Sequence, residues 1–191
     1  MADFLAWFSA QPAAHRLLIC GNHEVAITRA AANDRAMLAA KLSAQGKVTY
    51  LQDGEVEVAG LRVYGTPWMA KPTGEIYAHC AWCLDGTADE LLQKYRAIPE
   101  GIDLLLTHTP PLGTLDNGGL GSAALADEVV RARPLVHCFG HVHSAYGFKC
   151  NVPEGSSPPR RPDHPTEGDS VLFVNAAIDA VAPEAPIFFD L

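Results

Sequence analysis

Short apolar runs, each closed by a polar turn, alternate along this chain with stretches of helical composition. Apolar runs of strand length lie at residues 16–20, 102–107, 135–139 and 171–174. Further short strands are predicted at 47–51, 55–58, 61–64 and 187–191, and helices at 1–14, 28–45, 88–95 and 122–132. Ser122 is the predicted N-cap of the last helix. A length of 191 residues predicts a single domain spanning residues 1–191.

The stretches between these elements have the composition of loops. Residues 65–72 hold Pro67 and Trp68, and residues 112–121 are rich in glycine. Residues 152–170 contain five prolines and several charges, a composition typical of a mobile surface loop.

Polar side chains follow three of the apolar strands. Asn22 and His23 come after the first, His108 comes after the strand at 102–107, and the pair His141 and His143 comes after the strand at 135–139. In layered α/β folds ligands gather at the carboxyl ends of strands, so these side chains are expected to converge. Gly140 is expected to permit the close approach that this convergence needs.

Neutral imidazole nitrogen and amide oxygen are good ligands for Zn, Mn, Fe or Co, so the constellation predicts a divalent metal site. Each residue has a plainer explanation when it is taken alone. Asn22 could simply tolerate a left-handed turn, His108 could end a strand, and His23 could pair with Glu24. His137, inside an apolar strand, is interpreted as structural, and His15 as exposed.

Composition narrows the functional classes. Hydrophobic residues make up 48% of the chain, and the formal net charge is −8 with a pI near 5.4. This acidic balance argues against general nucleic-acid binding and against binding to a membrane surface. The longest apolar runs are too short to span a bilayer, and the N-terminus lacks the pattern of a signal peptide. The expected location is the cytoplasm.

The five cysteines do not form the spaced pattern of a disulfide framework. Cys80 and Cys83 make a C-x-x-C with His79 beside it. A structural zinc or a redox role is one interpretation, and partly buried thiols are the favoured one.

The phrases GNHE at 21–24, LLLTHTPPLG at 104–113 and FGHVH at 139–143 together resemble the calcineurin-like metallophosphoesterases. The chain is most similar to the subgroup of small metallophosphoesterase-domain proteins, whose members also carry VYGTPW and PIFFDL phrases. The resemblance implies a two-sheet sandwich flanked by helices. It also implies hydrolysis of phosphoesters, with phosphodiesters such as cyclic nucleotides as the expected small substrates, by a mechanism that uses two metal ions.

Residue roles follow from the same resemblance. It implies that Asn22, His108 and His141 bind the second metal and that His143 binds the first. His23 would face the substrate phosphate and assist the leaving group as the catalytic residue. Asp116 matches an acidic position of the family's loop phrase, where an ordering role is expected rather than metal binding.

The family's Asp-x-His and Gly-Asp motifs, which precede GNHE, are absent from residues 1–20 of this sequence. They supply the carboxylates of the first metal, so the resemblance implies an N-terminally truncated domain that lacks its first strand and binds at most one ion. Two hypotheses follow: a metallophosphoesterase, or a weakened remnant that binds one metal or a protein partner. The oligomeric state, the metal and the natural substrate stay open.

Overall fold

The computed structural model describes residues 2–25, 43, 48–72, 80–84, 89–150, 170–178 and 185–191. Nearly all of the predicted helix at 28–45 and of the predicted loop at 152–170 lies outside these ranges. The described elements are, in chain order, α1 (Ala2–Ser9), β1 (Leu17–Leu18), β2 (Thr49–Tyr50), β3 (Gly54–Val58), β4 (Leu61–Thr66), β5 (Met69–Ala70), β6 (Cys83–Leu84), α2 (Asp89–Arg96), β7 (Leu104–Thr107), α3 (Ala123–Ala132), β8 (Val136–Phe139), β9 (Gly147–Cys150) and β10 (Leu172–Asn175).

The main sheet has six strands in the order β3-β4-β7-β8-β10-β9. The four inner strands β4, β7, β8 and β10 run parallel, whereas the outer strands β3 and β9 are antiparallel to their neighbours. The pairs β1-β2 and β5-β6 form two small parallel sheets. The predicted α/β class is confirmed, and the layering is consistent with a metallophosphoesterase-type sandwich.

The parallel core explains why the inner strands read as nearly continuous apolar runs. Leu105, Val136 and Val174 are at most 2% exposed, because neighbouring strands and the two faces of the sheet exclude water from them. Full burial of such a side chain contributes roughly 1.5–3 kcal/mol. The inner strands therefore form a rigid base whose carboxyl ends share one edge.

Helix α3 begins where the sequence predicted. The Ser122 side chain accepts a hydrogen bond from the backbone N–H of Leu125 at 3.3 Å, and the N–H of Arg133 donates to the carbonyl of Val129 at 2.9 Å. The Ser122 hydroxyl satisfies a backbone donor that the first helical turn leaves unpaired. The predicted N-cap is confirmed.

Three local predictions need correction. Residues 187–191 form no strand, and none of the described strands pairs with them. Residues 65–72 were predicted as a loop, but they contain the end of β4 and all of β5. Helix α1 spans Ala2–Ser9 rather than the predicted 1–14, and it buries Leu5 but leaves Trp7 60% exposed.

Among the described helices none combines the length and apolar character needed to cross a bilayer.

Candidate metal centre

The strand ends bring the predicted residues to one edge of the fold. Asn22 follows β1 and is 8% exposed, and His108 directly follows β7 and is partly buried. His141 is partly buried two residues after β8, and His143 is exposed at the start of a 3₁₀ turn. His23 is exposed beside Asn22.

The shortest link between these residues joins Asn22 to His108. Nε2 of His108 lies 2.8 Å from the side-chain oxygen of Asn22 and accepts a hydrogen bond from the Asn22 backbone N–H at 3.3 Å. One tautomer cannot serve both contacts, because a nitrogen that accepts from the backbone has no proton to offer the oxygen. Two atoms bound at right angles to one cation, with bonds of about 2.1 Å, are about 3 Å apart. The spacing thus fits two adjacent ligands of one ion.

Gly21 provides the space for the His108 ring. A Cβ built at Gly21 would lie 2.4 Å from Cε1 of His108, so any larger residue would push the ring away from Asn22. The backbone N–H of Gly21 in turn donates to Oε2 of Glu24 at 2.5 Å. The four residues of the GNHE phrase therefore fold into one turn that receives the imidazole of His108.

His141 completes the buried part of the cluster. Its ring packs edge-on against His108, with centroids 4.8 Å apart and planes at 64°. His141 adopts a left-handed backbone conformation with φ of 69°, a region that few residues other than glycine occupy. At Gly140, by contrast, a Cβ would make only ordinary contacts, with 3.8 Å to Ala177 as the shortest. The close approach expected of Gly140 was wrong, and His141 itself makes the turn.

The electrostatics of the cluster favour neutral rings. Burial, and then the neighbouring imidazoles of His141, His23 and His143, lower the pKa of His108 to about 3. Burial and the same neighbours, His143 and His23, also lower the pKa of His141. Rings that resist protonation keep their lone pairs available, and a metal ligand requires an unprotonated nitrogen.

A buried amide supports the loop between His141 and His143. Nδ2 of Asn175 donates to the carbonyls of Leu115 and Val142 at 3.0 and 2.9 Å, and its Oδ1 accepts from the Ala177 N–H at 3.0 Å. Asn175 is 0% exposed. No role was predicted for it from the sequence. The sequence signal was a polar side chain directly after the apolar run at 171–174, as Asn22 and His108 follow theirs.

Asp116 orders the loop after β7. Its Oδ2 accepts hydrogen bonds from the N–H groups of Gly113 and Gly121 at 2.9 and 3.2 Å. Burial alone would raise the pKa of this carboxyl, but these backbone donors and that of Gly118 lower it on balance. Asp116 is therefore bound within its own loop, as expected for an ordering residue.

Cys80 and Cys83 form a disulfide, so the favoured interpretation of partly buried free thiols was wrong. The bridge encloses Ala81, whose backbone N–H donates to the carbonyl of Asn22 at 3.0 Å. The C-x-x-C loop thus lies directly against a predicted metal ligand. His79 lies outside the described residues.

Asn22, His108 and His141 therefore come together. His23 and His143 are exposed, but they are close enough to lower the pKa of His108 and His141. Across the described ranges, no group of three or more His, Cys, Asp or Glu side chains could hold a metal ion by itself. A site here depends on the amide oxygen of Asn22.

Comparison with known proteins supports the class. The human metallophosphoesterase domain-containing protein 1 is 34% identical over 167 residues, which is 75% of this chain and 49% of that protein. Among proteins of Caenorhabditis elegans, UPF0046 protein T07D4.2 is 42% identical over 104 residues, 51% of this chain and 24% of that one. UPF0046 protein C25E10.12 is 32% identical over 166 residues, which is 78% of this chain and 56% of that protein. The chain spans about half the length of most of these relatives. No family model matches it.

A solved structure shares the fold with a TM-score of 0.60, over 92% of this chain and 62% of that one, at 16% identity. That likeness shows the α/β fold alone. The sequence relatives identify the class as metallophosphoesterase-type. The chain belongs to the calcineurin-like metallophosphoesterase family, in the subgroup that holds the metallophosphoesterase domain-containing and UPF0046 proteins.

Proposed function

We propose that the chain is a metal-dependent phosphoester hydrolase whose ion is bound by Asn22, His108 and His141. The observation that carries this proposal is the 2.8 Å separation between Oδ1 of Asn22 and Nε2 of His108, with the His141 ring packed against the latter. The metallophosphoesterase names of the relatives support the same class of reaction. Three neutral N and O donors suit Mn, Fe, Zn or Co.

A bound ion would stabilise charge on the phosphate and activate water for attack. The chain's own residues would bind the ion, orient it and handle protons. His23 is exposed beside Asn22 and is close enough for its charge to lower the pKa of His108. We assign it proton delivery to the leaving oxygen, a role that needs solvent contact and freedom from the metal.

We propose phosphodiesters, cyclic nucleotides among them, as substrates, and a dinuclear mechanism for the complete family site. His143 is the proposed donor to the first ion. Because it is exposed and one imidazole is a weak anchor, this chain is proposed to hold about one ion, at the second position.

A second candidate function is a remnant that binds one metal or a protein partner. The observation in its favour is that the described residues include no metal-binding group of three His, Cys, Asp or Glu side chains. Without a carboxylate, two adjacent divalent ions would repel each other strongly.

One experiment separates the two. The chain is titrated with Mn²⁺ and then assayed on an aryl phosphodiester, the matching phosphomonoester and a 2′,3′-cyclic nucleotide, with EDTA-treated chain as the control. Metal-dependent turnover that favours the diesters supports the hydrolase. Mn²⁺ binding without turnover on any of the three favours the remnant, and the absence of Mn²⁺ binding rejects the site itself.

A further inference from the structure

A buried histidine outside the candidate site contacts the strand that carries His108. His137 lies within β8 and is 0% exposed. Its Nε2 is 2.8 Å from Oγ1 of Thr107, the last residue of β7. The strands are parallel neighbours with Leu105 paired to His137, so Thr107 is a diagonal neighbour on the same face of the sheet.

The hydrogen-bond pattern fixes the tautomer of His137. The Thr107 hydroxyl donates its single proton to the carbonyl of Thr109 at 2.8 Å, so in the other contact the hydroxyl oxygen must accept. The proton of His137 therefore resides on Nε2. Thr107 and Thr109 are 2% and 3% exposed, so water does not compete for either bond.

This arrangement leaves the other ring nitrogen unsatisfied. Nδ1 of His137 is buried without a hydrogen-bond partner among the described residues, and the ring packs against Phe139 and Phe173 at centroid distances of 4.9 and 5.9 Å. Burial of an unpaired acceptor is unfavourable, so an apolar side chain would suit a purely structural position better. The presence of a histidine at this position is explained if the hydrogen bond that its Nε2–H donates to Thr107 has a role beyond packing.

We propose that His137 is a positioning residue for the metal site. Through the Thr107 hydroxyl it fixes the carbonyl of Thr109, so the backbone is held on both sides of His108. The carbonyl of His108 also accepts from the N–H of Gly140 at 3.1 Å, which ties the same segment to the residue before His141. These buried hydrogen bonds orient the ring of His108 toward Asn22 in the metal-free chain. This inference rests on the proposed function.

The test compares two threonines that are paired in the sheet. Thr107→Val removes the hydroxyl at nearly constant shape, and Thr66→Val is the control. Thr66 pairs with Thr107 in register, is 0% exposed and donates to Oδ1 of Asp53 at 2.8 Å, so its loss removes a similar buried hydroxyl whose hydrogen bond does not involve the backbone around His108. Supporting groups behind metal ligands typically change affinity 10–100-fold. Mn²⁺ titration should show that weakening for Thr107→Val and a change within about twofold for Thr66→Val.

Two variants of His137 refine the assignment. His137→Leu should weaken Mn²⁺ binding as Thr107→Val does, and the double variant should be no weaker than either single one, because both break the same link. His137→Gln can offer an amide N–H near the position of Nε2 and should recover most of the affinity. Thermal melts of each metal-free variant establish that it is folded, and the conclusion stands on Thr107→Val if His137→Leu does not fold.

A metal-free measurement separates this inference from the proposed function. In the NMR spectrum of histidine-labelled apo chain, His137 should show the Nε2–H tautomer. Thr107→Val should shift the ring signals of His108, whereas Thr66→Val should leave them in place. If the wild-type chain binds no Mn²⁺, the proposed function fails, and these signals still decide the positioning role. His108 signals that respond equally to both valine variants would overturn it.

Discussion

The side-chain oxygen of Asn22 lies 2.8 Å from Nε2 of His108, although the two residues are 86 positions apart in the sequence. The contact is short enough for both atoms to bind one ion, and the missing side chain of Gly21 makes room for it. The proposed metal site depends on this pair, because Asn22 supplies an oxygen that histidines alone cannot.

Substitution of Asn22 tests that dependence. Asn22→Asp keeps an oxygen in place and adds a negative charge, so Mn²⁺ affinity should rise by about tenfold or more. Asn22→Leu, of similar size, should reduce binding below detection. Titration calorimetry of both variants measures the contrast. Equal Mn²⁺ affinity for the leucine variant and the wild-type chain would remove Asn22 from the site.

His23→Ala should reduce turnover without releasing metal. A single acid–base group contributes about 10²–10⁴-fold, so the rate on an aryl phosphodiester should fall by that factor in the Mn²⁺-loaded chain, with its metal content unchanged. His15→Ala, another exposed histidine, is the control and should retain the wild-type rate. Metal loss in proportion to rate loss would make His23 a ligand instead.

Acid should destabilise the fold through its buried histidines. Burial lowers the pKa of His137 to about 3, whereas an unfolded histidine titrates near about 6.5, so below that pH the unfolded chain takes up more protons. Stability should be flat above about pH 6.5 and should fall as the pH drops toward about 3, by up to about 1.4 kcal/mol per pH unit for each such ring. His108 shifts in the same direction.

Urea unfolding at pH 7, 6 and 5 measures this slope. His137→Leu should make the slope shallower without abolishing it, since His108 still contributes. An identical slope in wild type and His137→Leu would mean that His137 takes up its proton at the same pH in the folded and the unfolded chain.

Removal of the Asp116 carboxylate should loosen the loop after β7. Its two hydrogen bonds from Gly113 and Gly121 are charge-assisted, so Asp116→Ala should lower the free energy of unfolding by roughly 1.5–3 kcal/mol. Asp127→Ala, at an exposed position on α3, is the matched control and should stay within about 0.5 kcal/mol. Loss of Mn²⁺ without loss of stability in Asp116→Ala would point to a ligand role.

The sequence predicted the strands and the polar residues at their ends because both depend on local pattern. Apolar runs of strand length identified β7, β8 and β10, and parallel pairing then placed the residues after β7 and β8 at one edge. The metallophosphoesterase phrases gave the same assignment. A strand also needs a paired neighbour, which the local pattern does not show, so residues 187–191 were wrongly predicted as a strand.

The support of the site could not be read from the sequence. Nothing local shows that His137 faces Thr107, because that contact follows from the register between two strands. Gly140 was the permissive residue expected from the sequence, whereas the left-handed backbone conformation lies at His141. The contact of Ala81 with Asn22 likewise depends on chain packing.

Metal stoichiometry is the sharpest test of the proposed site. The purified chain is dialysed against Mn²⁺, washed, and measured by plasma mass spectrometry alongside His108→Ala, His141→Ala and the control His15→Ala. The proposed site predicts about one ion per chain in wild type and His15→Ala, none in the two site variants, and weak phosphodiesterase activity. Two tightly held ions with fast turnover in the wild-type chain, or an ion retained by both site variants, would contradict it.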